Sequence, residues 1–307
     1  MRMIIDTDAG IDDAEAILMA LAYPGNTVEA ITTVTGNVHR DQVNQNVCTV
    51  LQQASVSVPV YSGADRPLVK SWVDEGTSYH LKDGLGDWDE RPPCTPQIEQ
   101  TRAAVALVER INASLGEITL VMLGPLTNLA LALRLDPSLP DKIAKLVVMG
   151  GAVDAHGNTP TVTAELNIWI DPEAAYMVFD AFTDIVQVGW EATLANPLPW
   201  SVHDELCALD TPLGRFYAGI SDKVTARTRQ RYDGHLLPDP LAMAVALEPS
   251  TITESEHRHV SVELHGTLTR GQTVVNYTAL ESGPKNTQIV RRVDMERIAT
   301  LYRQMLA

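Results

Sequence analysis

Short apolar, β-prone runs alternate along most of the chain with segments whose apolar positions recur every three to four residues. "RMIID" precedes "DDAEAILMALA", in which Ala14, Ile17, Leu18 and Leu21 fall at i, i+3, i+4 and i+7 and predict one face of a helix. "VEAITTVTG" leads into the helical "RDQVNQNVCTVLQQA", and a short run at "VPVYSG" is followed by a helix near 97–114. Then come "ITLVMLG", the helix "PLTNLALALRL" and the strand "AKLVVMGG". Strands that are apolar at successive positions have no face left for water. The alternation therefore predicts an α/β fold with an open, mostly parallel, doubly wound sheet and helices on both faces.

Beyond residue 151 the rhythm loosens. "DPEAAYMVFDA" reads as a helix with Asp171 at its N-cap and Pro172 at its first position, followed by the strand "DIVQVGW". The last fifty residues predict short strands at "HVSVEL" and "TQIVRRV" and a terminal helix from Asp294. Residues 63–97 mix Gly, Pro and charge, which in a compact domain marks a functional loop more often than a boundary. With no repeat and no low-complexity linker, residues 1–307 read as a single domain.

Composition narrows the chemistry. The 307 residues are 45% hydrophobic, enough for a large core, and the net charge of −16 repels nucleic-acid polymers and anionic membranes. No apolar run approaches a membrane span, and strand-forming residues begin at Met3, so a cytoplasmic location is expected. Cys48, Cys94 and Cys207 are odd in number and widely spaced, and the expectation is three reduced, buried thiols.

Against this background "IIDTDAGIDD" stands out, with Asp6, Asp8, Asp12 and Asp13 crowded at the end of the first strand. Helix capping and the helix dipole account for Asp12 or Asp13 but leave Asp6 and Asp8 unexplained. Acidic oxygens without Cys or His suit a hard cation, Ca²⁺ or Mg²⁺, at the carboxyl ends of parallel strands, where open α/β sheets bind ligands. The spacing lacks the glycine and glutamate of an EF-hand loop. A Mg²⁺-dependent D-x-D phosphatase is the competing reading, weakened because "KLVVMGGAVD" has no acidic pair at its strand end.

Other strand ends carry Asn37, Thr127, Asn128 and Asn158, and "AELNIWIDP" places Glu165 and Asn167 on one side of an extended segment. Asp239 reads first as an N-cap before Pro240. His80 and His235 sit in glycine-bearing loops, and Tyr79, Trp88, Trp190 and Tyr232 are candidates for an aromatic pocket wall.

Taken in order, "DTDAGIDDAEAILMAL", "TGNV", "LGPLTNLALAL", "VVMGGAV", "AELNIWIDPEAA" and "DPLAMAVAL" resemble the inosine–uridine-preferring nucleoside hydrolases over residues 1 to 250. The resemblance implies a Rossmann-like core of about eight strands, a Ca²⁺ ion at the strand ends, and hydrolysis of ribonucleosides to ribose and free base by a homodimer or homotetramer. By position, it implies that Asp8, Asp13, Asp239 and the Leu123 carbonyl hold the ion. Asp12 and Asn167 match residues at the ribose 2′-hydroxyl, and Asp239 also approaches the 3′-hydroxyl. Asn158, Glu165 and Met149 match contacts to the 5′ end, Asn37 lines the same pocket, and Asp6 is a supporting acid.

That chemistry suits the residue types. Asp8 would take the proton of a water attacking the anomeric carbon, and negative charge around the sugar favours an oxocarbenium-like transition state. One departure matters: Pro238 occupies the position where many members carry a histidine that protonates the leaving base. His80, His235, or stacking on Trp88 or Trp190 must then activate the base. Loss of that function altogether would leave a non-catalytic nucleoside- or ribose-binding protein.

Overall fold

The computed structural model describes residues 1–278 and 284–307. β1 (Arg2–Thr7) runs into α1 (Ile11–Ala22), β2 (Thr27–Thr33) into α2 (Arg40–Gln53), and β3 (Val60–Ser62) into a long segment holding α3 (Thr77–His80) and the two-residue β4 (Ile98–Glu99). α4 (Ala103–Asn112), β5 (Ile118–Met122), α5 (Thr127–Leu135), β6 (Lys145–Met149), α6 (Leu166–Ile170), α7 (Pro172–Ala181) and β7 (Ile185–Val188) follow. Next are α8 (Trp190–Ala195), β8 (Leu198–Pro199), α9 (Trp200–Cys207), α10 (Pro212–Thr228), β9 (Gly234–His235) and α11 (Pro238–Leu247). β10 (Ile252–Arg258), β11 (Val260–Val262), β12 (Thr273–Val275), β13 (Thr287–Val293) and α12 (Met295–Leu306) complete the fold.

Nine strands form one sheet in the order β10-β13-β7-β6-β5-β1-β2-β3-β4, parallel throughout except for the outer β10. β1 lies centrally, pairing Ile5 with Ile31 on β2 and with Val121 on β5. Its apolar run serves both faces: Met3 and Ile5 enter one core with Ile17, Leu241 and Tyr302, while Ile4 enters the other with Leu129, Ala175 and Phe179. Helices on both faces, expected from continuous apolar strands, are thus present.

Several local expectations change. The strand count is nine because the chain adds an antiparallel edge at Ile252–Arg258, too polar and exposed to show as an apolar run. The helix near 97–114 begins only at Ala103, since Ile98 and Glu99 pair along the edge of β3. "AELNIWIDP" is not extended: Glu165 caps a short helix, its carboxylate accepting the amides of Asn167 and Ile168. Asp239 caps nothing and lies inside the first turn of α11, behind Leu237 at the N-cap. Asp171 does cap α7, accepting the amide of Ala174 at 3.1 Å.

The cysteine expectation is also overturned. Cys48 on α2 and Cys94 ahead of β4 form a disulfide, their Cα atoms 6.1 Å apart, and only Cys207 is free. A separation of 46 residues hid the pair, because the chain returns to α2 only through the loop after β3. No helix among the described residues is long and apolar enough to cross a membrane.

Candidate active site

The site is built at the carboxyl end of the central strands, where β1, β2, β5 and β6 all deliver loops. After β1 the backbone turns sharply: Ala9 adopts a left-handed φ of 41°. Two bonds hold that strained residue, its amide donating to Thr7 Oγ1 at 3.0 Å and its carbonyl accepting Asn46 Nδ2 at 2.8 Å. The turn points Asp8 inward and starts α1 at Ile11. Asp13, in the first turn, then accepts the amide of Gly10 at 2.8 Å and the hydroxyl of Thr7.

The β2 loop closes over this turn. Asn37 donates its amide to Asp8 Oδ2 at 2.7 Å and its side-chain nitrogen to Asp8 Oδ1 at 3.2 Å and Asp13 Oδ2 at 3.3 Å. So close an approach requires Gly36, because a Cβ there would lie 1.9 Å from Asp8 Oδ2. Asp239 arrives from α11, which packs along α1. Carboxylate oxygens of Asp12, Asp13 and Asp239 come within 4.8 Å of one another, and Asp8 and Asp239 both contact Asp13.

All four carboxyls are buried, and among the described residues no lysine or arginine is salt-bridged to any of them. Burial first, then repulsion from neighbouring carboxylates, pushes Asp8, Asp12 and Asp239 well above the usual carboxylate range; burial also raises Asp13. A divalent cation reverses that balance by favouring the ionised forms. The donor set fits one: clustered hard oxygens, with Asp12 Oδ1 buried and without a hydrogen-bond partner. Asp6 serves differently, accepting Thr32 Oγ1 and Asn128 Nδ2 beneath the cluster, with burial raising it to about 7.

A cavity of about 240 Å³ opens above the carboxylates. Its wall includes Asp12, Asn37, His80, Leu123, Met149, Asn158, Glu165, Asn167 and Asp239, whereas Asp8 and Asp13 lie behind that surface. Asn167 ties two strand ends together, donating to the carbonyls of Leu123 at 2.7 Å and Met149 at 3.2 Å. Glu165 accepts the amides of Gly151 at 2.9 Å and Asn167 at 2.8 Å, yet burial still lifts it to about 7.

The two histidines part company. His80 lines the cavity, its Nδ1 accepting the amide of Ile11 at 3.1 Å and lying 3.7 Å from Asp12 Oδ1. His235 does not line the cavity. Its Nε2 is 3.5 Å from the buried Glu15, which also accepts the Tyr302 hydroxyl, and its ring lies 4.5 Å from that of His203. Among the aromatics, Tyr79, Trp190 and Tyr232 reach the cavity, while Trp88 packs on Phe216.

Sequence patterns missed the wall supplied by α10, where Val224, Arg227 and Thr228 face the cavity, and Arg231 just beyond it. The signal was present in the Thr211 cap, Pro212, and Phe216, Ile220 and Val224 at four-residue spacing.

Comparison with known proteins agrees with this arrangement. Residues 3–300 match the family described as inosine-uridine preferring nucleoside hydrolase. The inosine-uridine preferring nucleoside hydrolase of Leishmania major is 34% identical over 304 residues, covering 96% of this chain and 94% of its own. The pyrimidine-specific ribonucleoside hydrolase RihA of Klebsiella pneumoniae is 36% identical, covering 100% and 98%. A solved plant nucleoside hydrolase, PpNRh1, superposes with a TM-score of 0.91 at 33% identity, covering 100% of this chain and 99% of that one. Similarity that runs through every strand end contributing to the cavity, and continues into the last helix, is more than a shared sheet. The chain belongs to the inosine-uridine preferring nucleoside hydrolases, enzymes that cleave the N-glycosidic bond of ribonucleosides.

Proposed function

We propose that residues 1–307 act as one catalytic domain that hydrolyses ribonucleosides to ribose and free base with Ca²⁺ as the resident cation. The observation that carries this reading is Asp12 Oδ1, buried without a hydrogen-bond partner among clustered carboxyls that have no lysine or arginine salt-bridged to them among the described residues, at the floor of a nucleoside-sized cavity. Asp8, Asp13, Asp239 and the Leu123 carbonyl are the proposed ligands, with Asp12 close enough to share the ion or hold the ribose 2′-hydroxyl. The cation would polarise the attacking water and fix the ribose diol.

Asp8 takes the water proton, and Asn37, bonded to both of its oxygens, keeps that carboxylate facing the reaction. Asp12, Asn167 and Asp239 bind the ribose hydroxyls, while Met149, Asn158 and Glu165 receive its 5′ end. The carboxylates then face a sugar that gains positive charge as the bond breaks.

On the leaving-group side Pro238 offers no proton, and His235 stands outside the cavity wall. His80 remains. Its Nδ1 is occupied by the Ile11 amide, and burial lowers it to about 3, so the neutral ring carries its hydrogen on Nε2. His80 thus offers a hydrogen bond to the departing base, with Trp190 and Tyr79 as stacking partners.

The test is turnover of inosine, uridine and a phosphate monoester by protein stripped with EDTA and then given Ca²⁺ or Mg²⁺. Reducing sugar released from nucleosides and restored best by Ca²⁺ supports the reading. Equal turnover with and without EDTA would overturn the metal's role, and better recovery with Mg²⁺ would overturn its identity.

A further inference from the structure

A second cavity, of about 250 Å³, lies away from the carboxylates and is walled by α2 and the strands at the β3–β4 edge. Both Cys48 and Cys94 line it, and both are partly exposed. Buried structural disulfides offer attacking thiols no such approach. Cys207, also partly exposed, differs in its surroundings: its sulfur rests 3.4 Å from His203 Nε2 instead of beside this cavity, and burial pushes its thiol up to about 11.

The bond joins α2 to the far end of the segment that follows α3, and other contacts hold the near end independently. Asn46 Nδ2 donates to the carbonyl of Asp83 at 2.9 Å, and Arg91 reaches Thr49 Oγ1 at 3.1 Å and Asp83 Oδ2 at 3.3 Å. Lys223 binds the carbonyl of Asp87, and Leu85 is fully buried. Past Arg91, the bond at Cys94, the two-residue pairing of β4 with β3 and the packing of Ile98 against the core are the restraints, and among the described residues no side-chain hydrogen bond joins 92–99 to the rest of the fold. Such a short edge pairing is marginal by itself.

We propose that Cys48–Cys94 is a thiol-exchange site, opened in the folded protein by a dithiol reductant that enters the neighbouring cavity, and that opening releases residues 92–99 from the edge of β3. One thiolate of the reductant attacks Sγ of either cysteine, breaking the S–S bond and forming a mixed disulfide. Its second thiol displaces the protein sulfur. The reductant leaves as a disulfide, its two electrons and two protons now on Cys48 and Cys94 as thiols. An oxidised dithiol runs the exchange backwards.

The test uses the full chain without denaturant, treated with dithiothreitol or with its oxidised form, then alkylated with iodoacetamide and followed by mass spectrometry and amide hydrogen exchange. Expected after reduction are alkylation of Cys48 and Cys94 ahead of Cys207, faster exchange across residues 94–99, and unchanged exchange in β5. The double variant Cys48→Ser, Cys94→Ser should show the reduced exchange pattern under both conditions. A bond that opens only after unfolding overturns the proposal, as do thiols that stay free under oxidant, or a full reduction that leaves exchange at 94–99 unaltered. None of these readouts depends on turnover, so the outcome is independent of the proposed catalytic mechanism.

Discussion

The ring of His80 accepts the amide of Ile11, the first residue of α1, so the group proposed to serve the leaving base is anchored to the helix that carries Asp12 and Asp13. The proposed sugar and base sides of the cavity therefore share one backbone turn. Displacing α1 moves both.

The tautomer gives the first prediction. His80→Ala should lower kcat/KM for inosine by about a hundredfold, the range for loss of a proton-donating group, while cleavage of a nitrophenyl riboside is little changed. Equal losses on both substrates would assign His80 to sugar binding instead.

His80 also leaves a mark on stability. Its folded value of about 3 lies below the ordinary 6.5, so between these values the unfolded chain binds the extra proton. Its contribution is full above 6.5 and is lost as pH falls toward 3. The His80→Gln protein should lose less stability than wild type over that window, measured as urea midpoints at successive pH values.

Glu165 predicts the opposite slope. Burial raises it from 4.5 to about 7, so the folded protein holds the extra proton. That contribution is complete below 4.5 and disappears as pH rises through 7. Thermal midpoints of wild type should fall more steeply than those of Glu165→Gln across this interval, and parallel curves would contradict the assignment.

Asp8→Asn should abolish turnover by at least about a hundredfold, since it removes both a proposed ligand and the proposed base. Calorimetric Ca²⁺ titration of the same protein separates the two roles: retained binding with lost kcat marks the base. Near-normal kcat would remove Asp8 from the mechanism.

Gly36→Ala tests the close approach of the β2 loop. The new Cβ must displace Asp8 or Asn37, at a cost of about 1–3 kcal/mol typical of overpacking. Ca²⁺ affinity should fall at least tenfold while circular dichroism stays native. Unchanged affinity would mean that Asp8 need not be held by the Asn37 amide.

Periodicity determined the α/β class, the parallel strands and the longer helices of the first half, because apolar runs and i, i+3, i+4 spacing report burial locally. The pattern also located the carboxylates of Asp6, Asp8, Asp12 and Asp13 at a strand end, since a single turn of chain holds them. What required the tertiary structure lies far apart in sequence. Asp239 looked like a cap until α11 packed on α1, and Glu165 and Asn167 looked extended until Glu165 capped its own helix. His80 and His235 were equivalent loop residues until one met the Ile11 amide and the other was buried against Glu15. Cys48 and Cys94 became a pair only when the loop after β3 returned to α2. In each case the deciding contact is long-range, and local pattern carries no record of which distant group completes a buried polar side chain.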